Sequence, residues 1–137
     1  MDDFELAENE LKSRKANLVI VKNGVVLYQS TASGMKGLLQ AIEEYDEDLA
    51  GTAVADKIVG RAAAMLCVYS KVKSVFAMTT SEGAVRLLTE NRVVHKFERC
   101  VHRLMNSQGT DICPFERAIR DIDDPKEAFK TLKSLVM

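Results

Sequence analysis

The chain is short of most features that mark a specialised protein. It has no tryptophan, two prolines, three cysteines and 6% aromatic residues in 137. Cys67, Cys100 and Cys113 are an odd number without regular spacing, which excludes a disulfide framework and points to reduced thiols in the cytoplasm. Neither sign of charge prevails, since 19 Lys+Arg against 20 Asp+Glu give a formal −1. That balance argues against a nucleic-acid binder working through backbone electrostatics. The longest uninterrupted apolar run, Ala62–Tyr69, is eight residues, whereas a membrane-spanning helix needs about 20. Met1-Asp2-Asp3-Phe4-Glu5 is acidic where a secretory signal is basic and then apolar. The sequence thus predicts a cytoplasmic domain with no nucleic-acid or membrane partner.

What is present is ordinary for a folded globule: 47% hydrophobic and 28% charged residues. This length suits one domain over residues 1–137, large enough to be stable without a metal or disulfide staple. Residues 2–15 read as a first helix, acidic at its start and basic at its end. Leu18–Lys22 and Val25–Tyr28 meet across Asn23-Gly24, a pair that tolerates the positive φ of a tight hairpin. Both strands are nearly continuously apolar, as strands covered on both faces are. Met35, Leu38, Leu39 and Ile42 mark a second helix, and Val54, Ile58, Ala62, Met65 and Tyr69 a long one over 53–69. Ser74–Met78 reads as a strand, and Thr79-Thr80-Ser81-Glu82 opens a helix that stops near Asn91. Val93–Phe97 is a further strand, 98–105 fits a short helix or an edge strand, and Pro114 and Pro125 open two last helices. This order predicts an α/β fold: a three-layer α/β/α sandwich around a mixed sheet.

The element order carries two motifs, Asp56-Lys57-x-x-Gly60-Arg61-Ala62-Ala63 and Asn106-x-x-Gly109-x-x-x-Cys113-Pro114-x-Glu116. With them the chain resembles the prokaryotic family catalogued as domain of unknown function 1893. The resemblance spans nearly the whole sequence and implies a cytidine-deaminase-like fold. A zinc deaminase needs His/Cys-x-Glu at one helix start and Pro-Cys-x-x-Cys at the next. Those starts are expected here at Ala55-Asp56-Lys57 and Thr79–Ala84, which hold neither His nor Cys. Zinc-dependent deamination is therefore not expected. His95, Cys100, His102 and Cys113 have no familiar zinc spacing either, so no metal or cofactor is predicted.

Two helix starts at the carboxyl ends of strands offer free N–H groups to an anion. Thr52, Thr80 and Ser81 either add hydroxyls to such a site or cap their helices. Lys57 and Arg61, four apart on one helix, either clamp a phosphate or carboxylate or form a solvated ion-pair face. Gly60 in a helix costs about 1 kcal/mol relative to Ala, so a close approach by backbone or ligand is expected there. Cys113, before Pro114, sits at a helix N-cap, either as an activated thiolate or as a small half-buried residue. Glu116 reads as a capping partner of its own helix start.

Three functions compete. The first is binding of a small anionic or nucleotide-like ligand through Thr52, Lys57, Gly60, Arg61, Thr80, Ser81 and Glu116. The second is a metal-independent enzyme with Cys113 as nucleophile or Asp56 and Lys57 as acid and base. The third is a self-associating module, a homo-oligomer formed through an open sheet edge near Val93–Phe97.

Overall fold

Asn23 and Gly24 take φ of 52° and 78°, so the turn foreseen from their side chains forms and sets the first antiparallel pair. In the computed structural model, which describes residues 1–136, the Asp3 carboxylate accepts both turn N–H groups at 2.9 and 2.8 Å. The first helix thereby holds the hairpin.

The elements are α1 (Asp3–Ser13), β1 (Leu18–Lys22), β2 (Val25–Ser30), α2 (Lys36–Tyr45), a 3-10 turn (Asp46–Leu49), β3 (Ala53–Val59) and α3 (Arg61–Tyr69). Then follow β4 (Ser74–Ser81), α4 (Glu82–Glu90), β5 (Val94–Val101), α5 (Pro114–Ala118) and α6 (Pro125–Val136). The sheet order is β2-β1-β3-β4-β5. β1 is antiparallel to β2 and to β3, and β3, β4 and β5 are mutually parallel. This is the mixed sheet of the expected α/β sandwich.

Alternating strand residues feed two cores, as a pleated sheet buried on both faces requires. Val19, Val21, Ala53, Ala55 and Phe76 pack with Ala7 and Leu11 of α1. Leu18, Ile20, Val54, Val75 and Ala77 pack with α2, α3, α4 and α6 on the other side.

Two expectations are corrected. The long helix over 53–69 is a strand followed by a helix. Its first third pairs with β1 on one side and β4 on the other, and that tertiary pairing outweighs a periodicity built from small apolar residues. Asp56 and Lys57 therefore lie in β3, and the proposed one-face clamp of Lys57 with Arg61 does not form. β4 runs through Thr79 and Thr80 to Ser81, so only Ser81 caps α4, accepting from Ala84 N–H at 3.2 Å. Of the two readings for the stretch after Phe97, the edge strand is the one that forms: β5 runs on to Val101, with Val94 and Phe97 exposed.

Candidate functional site

Because β3 and β4 are parallel, their carboxyl ends share one edge of the sheet. β1 runs the other way, with Leu18 beside Asp56 and also beside Ser30 at the end of β2. The chain leaving β2, the end of β3 and the segment before α5 consequently converge where ligand crevices form in α/β sheets. They enclose a recess of about 310 Å³, at the small end of ligand pockets. Asp56, Lys57, Gly60, Cys113 and Glu116 all line it, among walls formed by Leu18, Met35, Leu38, Leu104 and Phe115. Five residues singled out from two distant motifs are thus brought together.

The second motif builds the outer wall. Asn106 Oδ1 accepts the Thr110 N–H at 3.1 Å, and its carbonyl accepts the Gly109 N–H at 3.0 Å. Gly109 takes a φ of 71°, which favours glycine. Met105 and Ile112 bridge across the turn, and Cys113 N–H donates to Leu104 O at 3.1 Å. The folded-back strip delivers Cys113 to the first position before α5 and Glu116 to the helix itself.

Glu116 does not cap its own helix. Its Oε1 accepts the Arg61 N–H and its Oε2 the Ala62 N–H, each at 2.7 Å. A carboxylate thus occupies the positive end of α3, satisfying donors that the helix leaves free. Gly60, the N-cap of α3, has extended φ and ψ of −93° and −173°, so its lack of a side chain is steric. A Cβ there would overlap Glu116 Oε1 and Leu104 Cδ1. The close approach expected of this glycine is made by the protein's own carboxylate. Arg61 completes the clasp: Nη1 donates to Ile119 O and Nη2 to Ile122 O, both at 2.8 Å, and Nη2 also reaches Asp123 at 3.1 Å. Its guanidinium is spent on the chain after α5, outside the recess.

Asp56 is different. It is half-buried, and its Oδ1 accepts one hydrogen bond, from the Ile58 N–H at 3.3 Å. Burial raises its carboxyl to about 7, against which the neighbouring backbone N–H groups act only in part. Burial also raises Glu116, outweighing the two N–H donors and the nearby Arg61 charge. Lys57 is exposed at the rim, its N–H bonded to Asn17 O at 3.1 Å. Asn17 was not foreseen. Its amide donates to Thr31 O at 2.9 Å and Ala32 O at 3.3 Å, holding the strand that leaves β2 against the recess.

The remaining predicted residues lie elsewhere or serve as caps. Thr52, fully buried, donates to Leu49 O at 2.7 Å at the amino end of β3. Thr80 donates to Val59 O at 2.8 Å, tying β4 to β3. Cys113 has no histidine beside it: His95 Nδ1 contacts Val93 O, His102 pairs with Glu82, and neither lines the recess.

Zinc does not fit here. The helix after β3 begins Gly60-Arg61-Ala62, five residues beyond the expected start, and the next begins at Ser81. Among the described residues no three His, Cys, Asp or Glu side chains are grouped to hold a metal.

A five-stranded mixed sheet, helices on both faces and a crevice at the carboxyl end of its parallel strands define an α/β sandwich domain. The chain belongs to the family described as domain of unknown function (DUF1893), whose model matches residues 6–136. It is similar to the DUF1893 family protein TM1506 from Thermotoga maritima, with 25% identity and a TM-score of 0.88 over 97% of this chain and 89% of that one. Weaker structural similarity extends to RibD from Acinetobacter baumannii, at 18% identity and a TM-score of 0.48 over 70% of this chain and 33% of that one. A dCMP deaminase from the cyanophage S-TIM5, in apo form, aligns at 15% identity and 0.48 over 72% and 90%. No curated protein matches the sequence.

The electrostatics and the packing set the expected cost of changing these residues. Glu116→Ala should cost about 2–3 kcal/mol by urea denaturation, the value of two hydrogen bonds to a charged cap. Gly60→Ala should cost about 2 kcal/mol by pushing that cap away, and the double variant should fall short of the sum by about 1–2 kcal/mol. For Asp56, the native state keeps a proton between about pH 4 and 7 that the unfolded chain has released, so stability is full below this window and falls through it. From pH 4.5 to pH 8 the protein should lose about 2–4 kcal/mol relative to Asp56→Asn.

Proposed function

We propose that this domain binds a small, nucleotide-like molecule in the recess at the carboxyl end of β3. The observation that carries the reading is the pairing of apolar walls with two singular polar groups. Asp56 lies inside without a cation, and Lys57 stands at the rim with no ion pair among the described residues. An apolar or aromatic ligand body would lie between Leu38 and Phe115, with an anionic group on Lys57. This moves the anion away from the helix N-termini, because Glu116 and Ser81 already hold them. Arg61 fastens the chain after α5, and Thr52, Thr80 and Ser81 lie outside the recess, so none of them touches ligand in this reading.

A second reading draws on Asp56 alone. A carboxyl that titrates near 7 in a cleft can take and return a proton at neutral pH. Metal-independent acid–base catalysis would use it, with Cys113 available as a nucleophile in the same recess.

Thermal-shift measurements with nucleotides and phosphorylated metabolites test the binding reading. A true ligand at a hundredfold excess over its Kd should stabilise the protein by about 2.7 kcal/mol. Lys57→Ala should weaken that ligand by roughly tenfold, equivalent to about 1.4 kcal/mol. Absence of any shift across the library, in both proteins, overturns it.

A further inference from the structure

The two carboxyl groups of the recess have unequal commitments, and that inequality specifies a ligand chemistry. Glu116 has one N–H on each oxygen, both at 2.7 Å, and a guanidinium nearby. Asp56 has one long hydrogen bond, from the Ile58 N–H at 3.3 Å, and no cation among the described residues, although it faces the same cavity. Arg61, whose charge reaches Glu116, is consumed by the carbonyls of Ile119 and Ile122. A half-buried carboxyl lacking a counter-charge is a costly arrangement. A ligand that supplies the missing donors removes the cost.

We propose that the inner end of the recess takes a planar, cationic N–C–N edge, as in an amidine, and that Asp56 is the residue that reads it through two parallel hydrogen bonds. The proposal rests on the binding reading above and names the chemistry of the ligand's buried end. A ligand carboxylate is disfavoured there, since it would meet Asp56 and Glu116 together. A compact ammonium ion needs several acceptors around a strongly hydrated point charge, and this apolar recess offers one free carboxyl. A delocalised planar cation is less strongly hydrated, matches a carboxylate fork-to-fork and can lie flat beside Phe115.

The pH dependence is set by Asp56 within a defined set of neighbours. Lys57 follows it on β3, Glu116 and Cys113 face the cavity from α5 and its N-cap, and Arg61 and Cys67 belong to α3. Cys67, whose thiol burial pushes up to about 12, stays neutral over the working range. The walls contributed by β1 and α2, Leu18, Met35 and Leu38, carry no charge.

Isothermal titration of the whole chain with benzamidine, benzylamine, benzamide and benzoate separates the alternatives, because the four probes share one ring and differ at one group. Benzamidine should bind at least tenfold more tightly than each of the others. Its affinity should fall about tenfold per pH unit below pH 7, where Asp56 takes up a proton, and level off above. Asp56→Asn should abolish both the preference and the pH dependence, while Cys113→Ser, in the same cavity, should retain them. The pH profile of the unaltered protein stands as an independent measurement if Asp56→Asn fails to fold. Equal affinity for benzamidine and benzamide, or a flat pH profile, overturns the proposal. Shifts with phosphorylated metabolites but none with benzamidine would overturn the amidine specificity and leave the binding reading standing. Silence from both sets would remove both.

Discussion

The site is organised by one carboxylate seated on the amino end of a helix. Glu116 joins α5 to the first two N–H groups of α3, 55 and 54 residues back in the chain. Around this contact the surrounding residues have little freedom. Gly60 must lack a side chain, Arg61 must turn outward to the carbonyls after α5, and the strip from Leu104 to Cys113 must fold back to bring the helix into place. The energetic logic is that of a helix cap: free N–H donors gain acceptors, and a negative charge gains a favourable dipole. Here the cap comes from far along the sequence, so it also closes a cavity.

That closure explains the contrast between the two carboxyl groups. The fold that gives Glu116 two short partners leaves Asp56, in the same recess, none of comparable strength. Glu116 is a fastening. Asp56 is the group with unspent capacity, and it lies midway along a central strand, lining the recess that reaches to that strand's carboxyl end, where α/β proteins hold their ligands. A helix start expected to receive an external anion is therefore already satisfied, and the proposed ligand lies in the recess beside it instead. On that proposal Lys57 acts at the rim, for a reason unrelated to any helix face.

Much of this architecture was legible in the residues, where the determining contacts are local. Asn23-Gly24 prescribed its own turn, the apolar run at 18–21 required cover on both faces, and Cys113-Pro114 marked a helix start. The run at 25–28, read the same way, lies instead at the sheet edge, with Val25 exposed and Val26, Leu27 and Tyr28 half-buried. The segment 53–69 was misread because Val54, Ile58, Ala62 and Met65 satisfy a helical period equally well. What makes 53–59 a strand is its place between β1 and β4, a non-local fact. Gly60 was the available signal of a break between two elements. Asp56, Lys57 and Gly60 were selected on helical grounds that do not hold, yet they line the recess. The bond from Glu116 to Arg61 and Ala62 had no local signature, and neither did the support from Asn17, because each depends on segments that only the tertiary fold brings together.

The most direct measurement is a carbon-detected NMR titration of the Asp56 and Glu116 side-chain carboxyls in the folded protein. A recess with one fastened and one uncompensated carboxyl predicts a midpoint near pH 7 for Asp56 and one above the ordinary 4.5 for Glu116. An Asp56 midpoint close to the ordinary 3.8 would show a solvated carboxylate and contradict the central claim.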